Sequence, residues 1–508
     1  MHPEHPTVTS QPNATTEIAT DTDPRLTNSD LLPTPTRRWG VYSIFALWMA
    51  DTHAISNYTF AAGLFVLGLT PWQVFASLLI GISVVCWFMN RMGLAGHTTG
   101  VPFPVLARAS FGVFGANLPA LVRAIMAIFW YGIQTWLASV ALVVLTVQLV
   151  PSLDRYTHNS VLGLSTLGWI AFMFMWGLQL ALLTRGMEFI RRIQDWCTGP
   201  LVWIVMICLA GYLLVKSNWS ISLTDSLKPL TGGEQGHQML VAISLTVATF
   251  LTLVLNYADF SRFTTSRRAY TLGNILGLPV NFTLFAIASV ITTAGSVVVF
   301  GKLLTEPVEI VAAIDNPAVT VIGAASFVIA TIGINVVANF VSPAYDLANV
   351  WPSKINFTRG GLIAAVLAVV VTPWNLYSNP VVVNYFLGAL AAFLGPLVAI
   401  LLIDFYRVRR CTIDVDALFS AAPDAAYTYW HGWNPKALIA FVPSAAICAV
   451  LALVPAFATA APFAWILGMV LAGGIYLALN RGGATPATPA PSASAVPGTE
   501  PAAPEPVA

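Results

Sequence analysis

Polar side chains set four residues apart inside long apolar runs are the groups in this sequence that could do chemistry. In AIFWYGIQTWLAS, Trp130 and Gln134 lie one above the other on a helix face, offering an indole plane beside an amide that both donates and accepts. Such a pair would hold a planar heterocycle with alternating C=O and N–H groups. The alternative is a tryptophan filling a helix interface and a glutamine bonded to neighbouring backbone. In ATIGINVVANFVSPAYDL, Asn335 and Asn339 repeat the spacing, and each amide can pair with an imide edge of a ligand or tie two helices together. LWMADTHAISNYTFAAG gathers Asp51, Thr52, His53, Ser56 and Asn57 in otherwise apolar sequence. His53 is the one histidine well inside such a run; it could change charge near neutral pH, or stay a neutral, hydrogen-bonded ring. Asp259 and Arg262, in NYADFSRF at the end of another run, read as a structural ion pair or a gate rather than as ligand contacts.

These residues need long apolar elements to carry them. Of the 508 residues 57% are hydrophobic and only 9% charged, with a mean hydropathy of +0.76, whereas about a quarter of the residues of soluble chains are charged. An all-α membrane protein follows, and an ordinary soluble enzyme is excluded. The 23 basic and 22 acidic residues leave a formal charge of +1, so there is no basic stripe to follow a nucleic acid. The five cysteines are scattered without a CxxC pair, which suggests neither a disulfide framework nor a metal site.

Twelve apolar runs recur, each near the roughly 20 residues needed to cross a hydrocarbon core. They cover about 41 to 68, 72 to 90, 117 to 150, 161 to 184, 196 to 215, 238 to 258, 270 to 300, 317 to 348, 360 to 377, 380 to 405, 436 to 457 and 463 to 480. Residues 1–38, rich in Thr, Pro, Asp and Asn, predict a disordered polar tail; 39–480 form a twelve-helix membrane domain; the Ala/Pro-rich 481–508 predict a second disordered tail. Twelve spans put both termini on one side. Eighteen Lys and Arg then fall on that side, four (Arg155, Lys216, Lys228 and Lys302) on the other, and Arg123 inside a span. This bias places both termini in the cytoplasm of a multi-pass protein of the cell membrane, plasma or inner.

The first and sixth runs are poor continuous helices. The first holds the polar cluster from Asp51 to Asn57, and the sixth holds Thr246, Thr249, Thr252 and Asn256, followed by Asp259. Polar groups at that depth must face protein or a wet cavity. Interrupted segments at matching positions of two five-helix halves point to a midplane site in inverted-repeat transporters.

The run TGVPFPVLARASFGVFGANLPALVRA, followed by FWYGIQTW, resembles the signature of nucleobase:cation symporter family one, which contains hydantoin, allantoin, uracil and cytosine permeases. NVVANFVSPAYDL, TPWNLYSNP and FLGPLVAILLIDFYRVRR resemble later stretches of that family in the same order, so the likeness covers roughly residues 38 to 430. It implies a LeuT-type fold, a five-plus-five inverted repeat with helices 1 and 6 broken and two C-terminal helices added, and cation-coupled uptake of a small ring compound. It implies that Trp130 stacks on the ring, Gln134 bonds one polar edge, Asn339 binds the other, and Asn335 lines the site. Phe250 matches a second aromatic wall that is often tryptophan; it keeps the stacking face and loses an indole N–H. Leu387 in NYFLGAL matches a bulky helix-ten residue that closes over the ligand. Sodium-coupled hydantoin permeases carry hydroxyl residues on helix eight where this chain has Gly333 and Ile334. Two oxygen ligands are absent, so the resemblance favours H+ as the coupling cation, with His53 or Asp51 protonated. Na+ held by carbonyls is the alternative. No cofactor is implied.

A polytopic membrane enzyme would need a nucleophile, base or metal cluster, and the sequence has no HExxH and no Cys/His cluster at ligand spacing. A channel would need rings of charge or a repeated filter loop. The expectation is therefore a secondary active transporter, not an enzyme, that imports a nucleobase or related ureide by alternating access. Uracil or another pyrimidine comes first, because Phe250, Asp51 and His53 depart from the hydantoin pattern; allantoin or a hydantoin is the alternative. The expected partners are that small molecule and the lipid bilayer, with no nucleic acid and no obligatory protein partner.

Overall fold

The computed structural model describes residues 22–481 apart from 186–188, 190–191, 193–198, 227, 229, 315 and 378–379, and the side chains at 199–202, 334, 337, 376–377 and 380–391 also lie outside the description. Helix occupies each of the twelve apolar runs. Among the described residues, eight helices are long and apolar enough to cross a membrane unaided.

The first run is broken as its polar cluster suggests. Val41–Thr52 and Ile55–Gly63 meet at His53 and Ala54, and Ala54 is extended at φ −63°, ψ 146°. Asn57 holds the break open, its Nδ2 donating to Asp51 O at 2.7 Å and Thr52 O at 3.2 Å. The amide thereby satisfies carbonyls that a helix end would leave bare in an apolar interior. The sixth run starts at a Thr231/Glu234 capping box, runs as Gly232–Leu255, stops at Asn256, and resumes as the short helix Ala258–Ser261.

Arg267–Phe300 and Pro317–Val350 continue without interruption, but each loosens into a π-helical stretch. In the first it covers Leu276–Val280 and contains Pro279, which has no N–H to donate. In the second it covers Asn335–Val341 and so carries both candidate asparagines. Such stretches free backbone carbonyls for other partners.

Asn117–Leu149 packs against Pro317–Val350, and Pro435–Leu453 and Ala464–Leu479 pack on Pro380–Ile403. Pro71–Thr99 meets the sixth run so closely that a Cβ at Gly96 would sit 2.6 Å from Ala258 Cα. Asp404, beyond Pro380–Ile403, ties distant elements together by accepting from Tyr476 Oη at 2.8 Å, Ser110 Oγ at 2.9 Å and Arg409 Nε at 2.6 Å.

The polar N-terminal segment differs from expectation, because residues 22–38 pack across one end of the bundle. Leu26 and Leu31 are buried, Asp23 N–H donates to Phe419 O at 3.0 Å, and Thr34 N–H donates to Gly100 O at 2.9 Å. Asn28 Nδ2 reaches Ile355 O at 3.1 Å. Composition hides this because two leucines spaced among polar residues give no periodic signal, yet each finds an apolar recess. The chain leaves at the same end: Asn434 Nδ2 donates to Ser110 O at 2.7 Å and Lys436 Nζ to Asn480 Oδ1 at 3.2 Å.

Candidate functional site

Of the candidate residues on other helices, Gln134 meets the break in the first run directly. Gln134, on Asn117–Leu149, donates through Nε2 to Ser56 Oγ at 2.7 Å, on the second half of the broken helix. Its Oε1 is buried with no donor in reach among the described residues. Trp130 lies one turn earlier on the same face, partly buried against the main core.

Asn339 is joined to this face through Asn335. Asn335 Nδ2 lies 3.0 Å from Tyr131 O, 3.0 Å from Thr135 Oγ1 and 2.7 Å from Gln179 Oε1, while its Oδ1 accepts from Asn339 Nδ2 at 3.1 Å. Those partners consume the Asn335 amide. It ties three helices together, the alternative open in the sequence, and orients Asn339, which keeps 9% of its surface exposed.

A chain of ring contacts brings Phe250 to the same break. Phe250 meets Phe282 edge-on at 6.0 Å, Phe282 lies 4.6 Å from Phe285, and Phe285 lies 4.7 Å from Tyr58 and 5.8 Å from His53. Both ring nitrogens of His53 are engaged, Nδ1 with Tyr58 Oη at 2.6 Å and Nε2 with Asn281 Oδ1 at 3.4 Å. With Trp203 edge-on at 6.4 Å, the ring is held in an aromatic cage. Of the two settings open to polar groups at this depth, protein or a wet cavity, His53 and Asp51 have protein, since both are buried. Asp51 differs from His53 in that its Oδ2 has no protein partner.

Asp259 and Arg262 do not pair with each other as the sequence suggested. Asp259 accepts from Phe103 N–H at 2.7 Å and Asn256 Nδ2 at 3.0 Å, whereas the Arg262 guanidinium lies 4.6 Å from the ring centres of Phe263 and Tyr345. One helical turn directs the two side chains to different neighbours, so each is held through separate contacts. The side chain of Leu387 lies outside the described residues.

Gln179, Asn281 and Asp346 also take part in this interior and are not among the sequence candidates. Gln179 is a lone polar residue in an apolar run, and that isolation is the signal that could have found it. This interior holds an indole, a phenyl ring, and amide groups whose partners are fixed by neighbours. This suits an uncharged planar ring with N–H and C=O edges better than an ion. The carbonyls freed by the break, Asp51 O and Thr52 O, already accept from Asn57, and Gly333 adds no side-chain oxygen.

Comparison with known proteins agrees with this chemistry. A family model described as permease for cytosine/purines, uracil, thiamine and allantoin matches residues 32–476. An allantoin permease of Bacillus subtilis (strain 168) is 36% identical over 468 residues, which cover 90% of this chain and 94% of that protein. A purine-uracil permease, NCS1, of Arabidopsis thaliana is 31% identical over 439 residues, covering 86% of this chain and 72% of its own length. Among solved structures, Mhp1, a nucleobase-cation-symport-1 family transporter in a closed conformation with bromovinylhydantoin bound, matches with a TM-score of 0.73. It is 24% identical and covers 90% of this chain and 95% of its own. That likeness and the broken first and sixth runs show a LeuT-type fold.

Proposed function

Because this chain belongs to nucleobase:cation symporter family one, the permeases for cytosine, purines, uracil, thiamine and allantoin, we propose that it imports a ureide ring by alternating access, with allantoin as the substrate and a proton as the coupled cation. Trp130 and Phe250 form the walls, and Gln134 and Asn339 bind the two polar edges. The observation that carries this reading is the pair of buried amides beside an indole at a helix break, with Gln134 Oε1 left for a ligand N–H. Allantoin is preferred to uracil because a ureido arm adds donors to match further acceptors near the break, such as Asp51 Oδ2, and the Bacillus relative is named an allantoin permease. Uracil is the second reading, favoured by the name of the Arabidopsis relative. The distribution of Lys and Arg supports cytoplasmic termini in the cell membrane.

Proton coupling is supported by Asn57. A neutral amide sits on the carbonyls that a bound cation would need, and hard cations require several oxygens. Of the two helix-one candidates, His53 is bonded at both nitrogens, so Asp51 is the better proton acceptor there. Purified protein in proteoliposomes is expected to accumulate labelled allantoin under an inside-alkaline gradient and to be indifferent to replacing sodium by choline. His53→Gln is expected to keep that pH response. A steep sodium dependence with no response to a pH gradient would show that carbonyls alone hold sodium and would refute proton coupling.

A further inference from the structure

Beneath the ligand level, both helices that carry site residues also carry a charge. Arg123 precedes Trp130 by seven residues and Asp346 follows Asn339 by seven, so each lies about 10 Å along the axis from its site residue, Arg123 on the same face as Trp130. Both displacements run toward the end where the chain enters and leaves, since Asn349 Nδ2 bonds Asn117 Oδ1 there at 2.8 Å.

Arg123 is 1% exposed and Asp346 0%. Arg123 Nη2 donates to Ala338 O at 3.0 Å, a carbonyl in the π-helical stretch that holds Asn339. Among the described residues its Nε and Nη1 have no partner, and neither does either oxygen of Asp346. The two lie within electrostatic reach of each other and of Asp259, yet no hydrogen bond or ion pair joins them. Asp259 is satisfied by Phe103 N–H, Asn256 and, at 3.4 Å, Ser342 Oγ. Of the other charges around this layer, Arg108 donates to Asn349 Oδ1 at 2.7 Å and Asp30 accepts from Phe357 N–H at 2.9 Å. Arg262 covers Tyr345, and its Nε has no partner among the described residues.

Arginine keeps its charge in any such setting. A buried carboxylate with no donor is far more costly than the neutral acid, and a buried guanidinium beside it would bind it if it were ionised. The unbonded arrangement therefore fits a protonated Asp346.

We propose that Asp346 carries the transported proton on the termini side of the ligand and that Arg123 is the internal cation that displaces it. When that side opens to water, the Asp346 O–H bond breaks and the proton passes to water. The guanidinium, its charge unchanged, then turns from Ala338 O to the new carboxylate. Ala338 neighbours Asn339, so losing the proton also loosens the amide at the ligand edge. This rests on the proton-coupled reading above.

The test uses the full chain in proteoliposomes with labelled allantoin and labelled uracil. Asp346→Asn is expected to exchange label for unlabelled internal substrate and to lose at least tenfold of pH-driven accumulation, with Asp346→Glu restoring accumulation at a shifted pH. Wild-type accumulation by Asp346→Asn, with loss in Asp51→Asn, overturns this inference and leaves proton coupling standing. A wild type driven by sodium and blind to pH overturns both. Arg123→Gln gives an independent reading should Asp346→Asn not fold. Without the nearby cation the acid holds its proton more tightly, so the pH midpoint of accumulation moves up by about one unit or more, and an unmoved midpoint overturns the inference.

Discussion

Gln134→Leu separates the binding role of the amide from its role in packing. The side chain now spends Nε2 on Ser56 Oγ at 2.7 Å and keeps Oε1 without a protein partner. Leucine removes both ends at similar volume. The Ser56 hydroxyl is stranded whether or not ligand is bound, so its loss lowers stability and leaves affinity alone. The ligand N–H that met Oε1 is stranded only in the complex. A buried polar group without its partner costs about 1–3 kcal/mol, which weakens binding by roughly 5- to 150-fold. Titration calorimetry of purified protein with allantoin, run beside thermal unfolding, reads the two effects separately. The expected result is a Kd raised within that range together with a small drop in Tm. A Kd equal to wild type with a lowered Tm would refute the binding role and leave the glutamine as a tie between helices.

Three further outcomes follow from the same geometry. Trp130→Ala should lose most uptake while the protein still reaches the membrane, and Trp130→Phe should keep part of it, since aromatic contacts add about 0.5–1.5 kcal/mol beyond area burial; normal uptake by the alanine variant would remove the stacking role. Asn335→Leu strands Gln179 Oε1 and takes a donor from Tyr131 O and Thr135 Oγ1, whereas Asn339→Leu strands Asn335 Oδ1 alone, so Asn335→Leu should lower Tm more, while Asn339→Leu should raise the apparent substrate constant more. The opposite ranking in paired melting and uptake assays would contradict the division of labour drawn here. Gly96→Leu would drive a side chain into Ala258, and fluorescence-detected size exclusion should show loss of the folded monodisperse peak; an undiminished peak would mean the two helices can part without cost.

The apolar runs, the break after Asp51 and the stop at Asn256 were legible because membrane burial leaves little choice. A polar residue in an apolar run must be paid for by a partner, so it stands out in the sequence. Identifying that partner is a different problem. Asn335 and Asn339 share spacing and chemistry in sequence, yet one amide is consumed by Tyr131, Thr135 and Gln179 and the other is held out by the first. The distinction depends on which helix faces lie opposite, and no local pattern encodes that. Asp259 and Arg262 mislead for a related reason: opposite charges three residues apart suggest a pair, but Phe103 N–H and the Tyr345 ring compete for them from distant parts of the chain. The packed segment at 22–38 was hidden because its recesses are formed by residues far away in sequence, such as Phe419 and Ile355.

The orientation of Gln134 also bears on what the site can distinguish. A free amide offers a donor or an acceptor as needed and so discriminates little. In the proposed site the Ser56 hydroxyl takes one of the two amino hydrogens and fixes the orientation of the amide, so that its oxygen is turned to the ligand and favours a ring that presents an N–H to it. Uracil and allantoin both do, so this contact admits the class without choosing within it. The choice falls to the opposite edge and the walls. Among the described residues Asn339 is held through its own amino group, so in the proposed site its oxygen reads the second edge, and Phe250 offers a face without the N–H that a tryptophan would add. A ligand bringing its own extra donors is therefore served better than one needing a donor from the helix-six wall, which is the physical reason to place the ureide ahead of the pyrimidine.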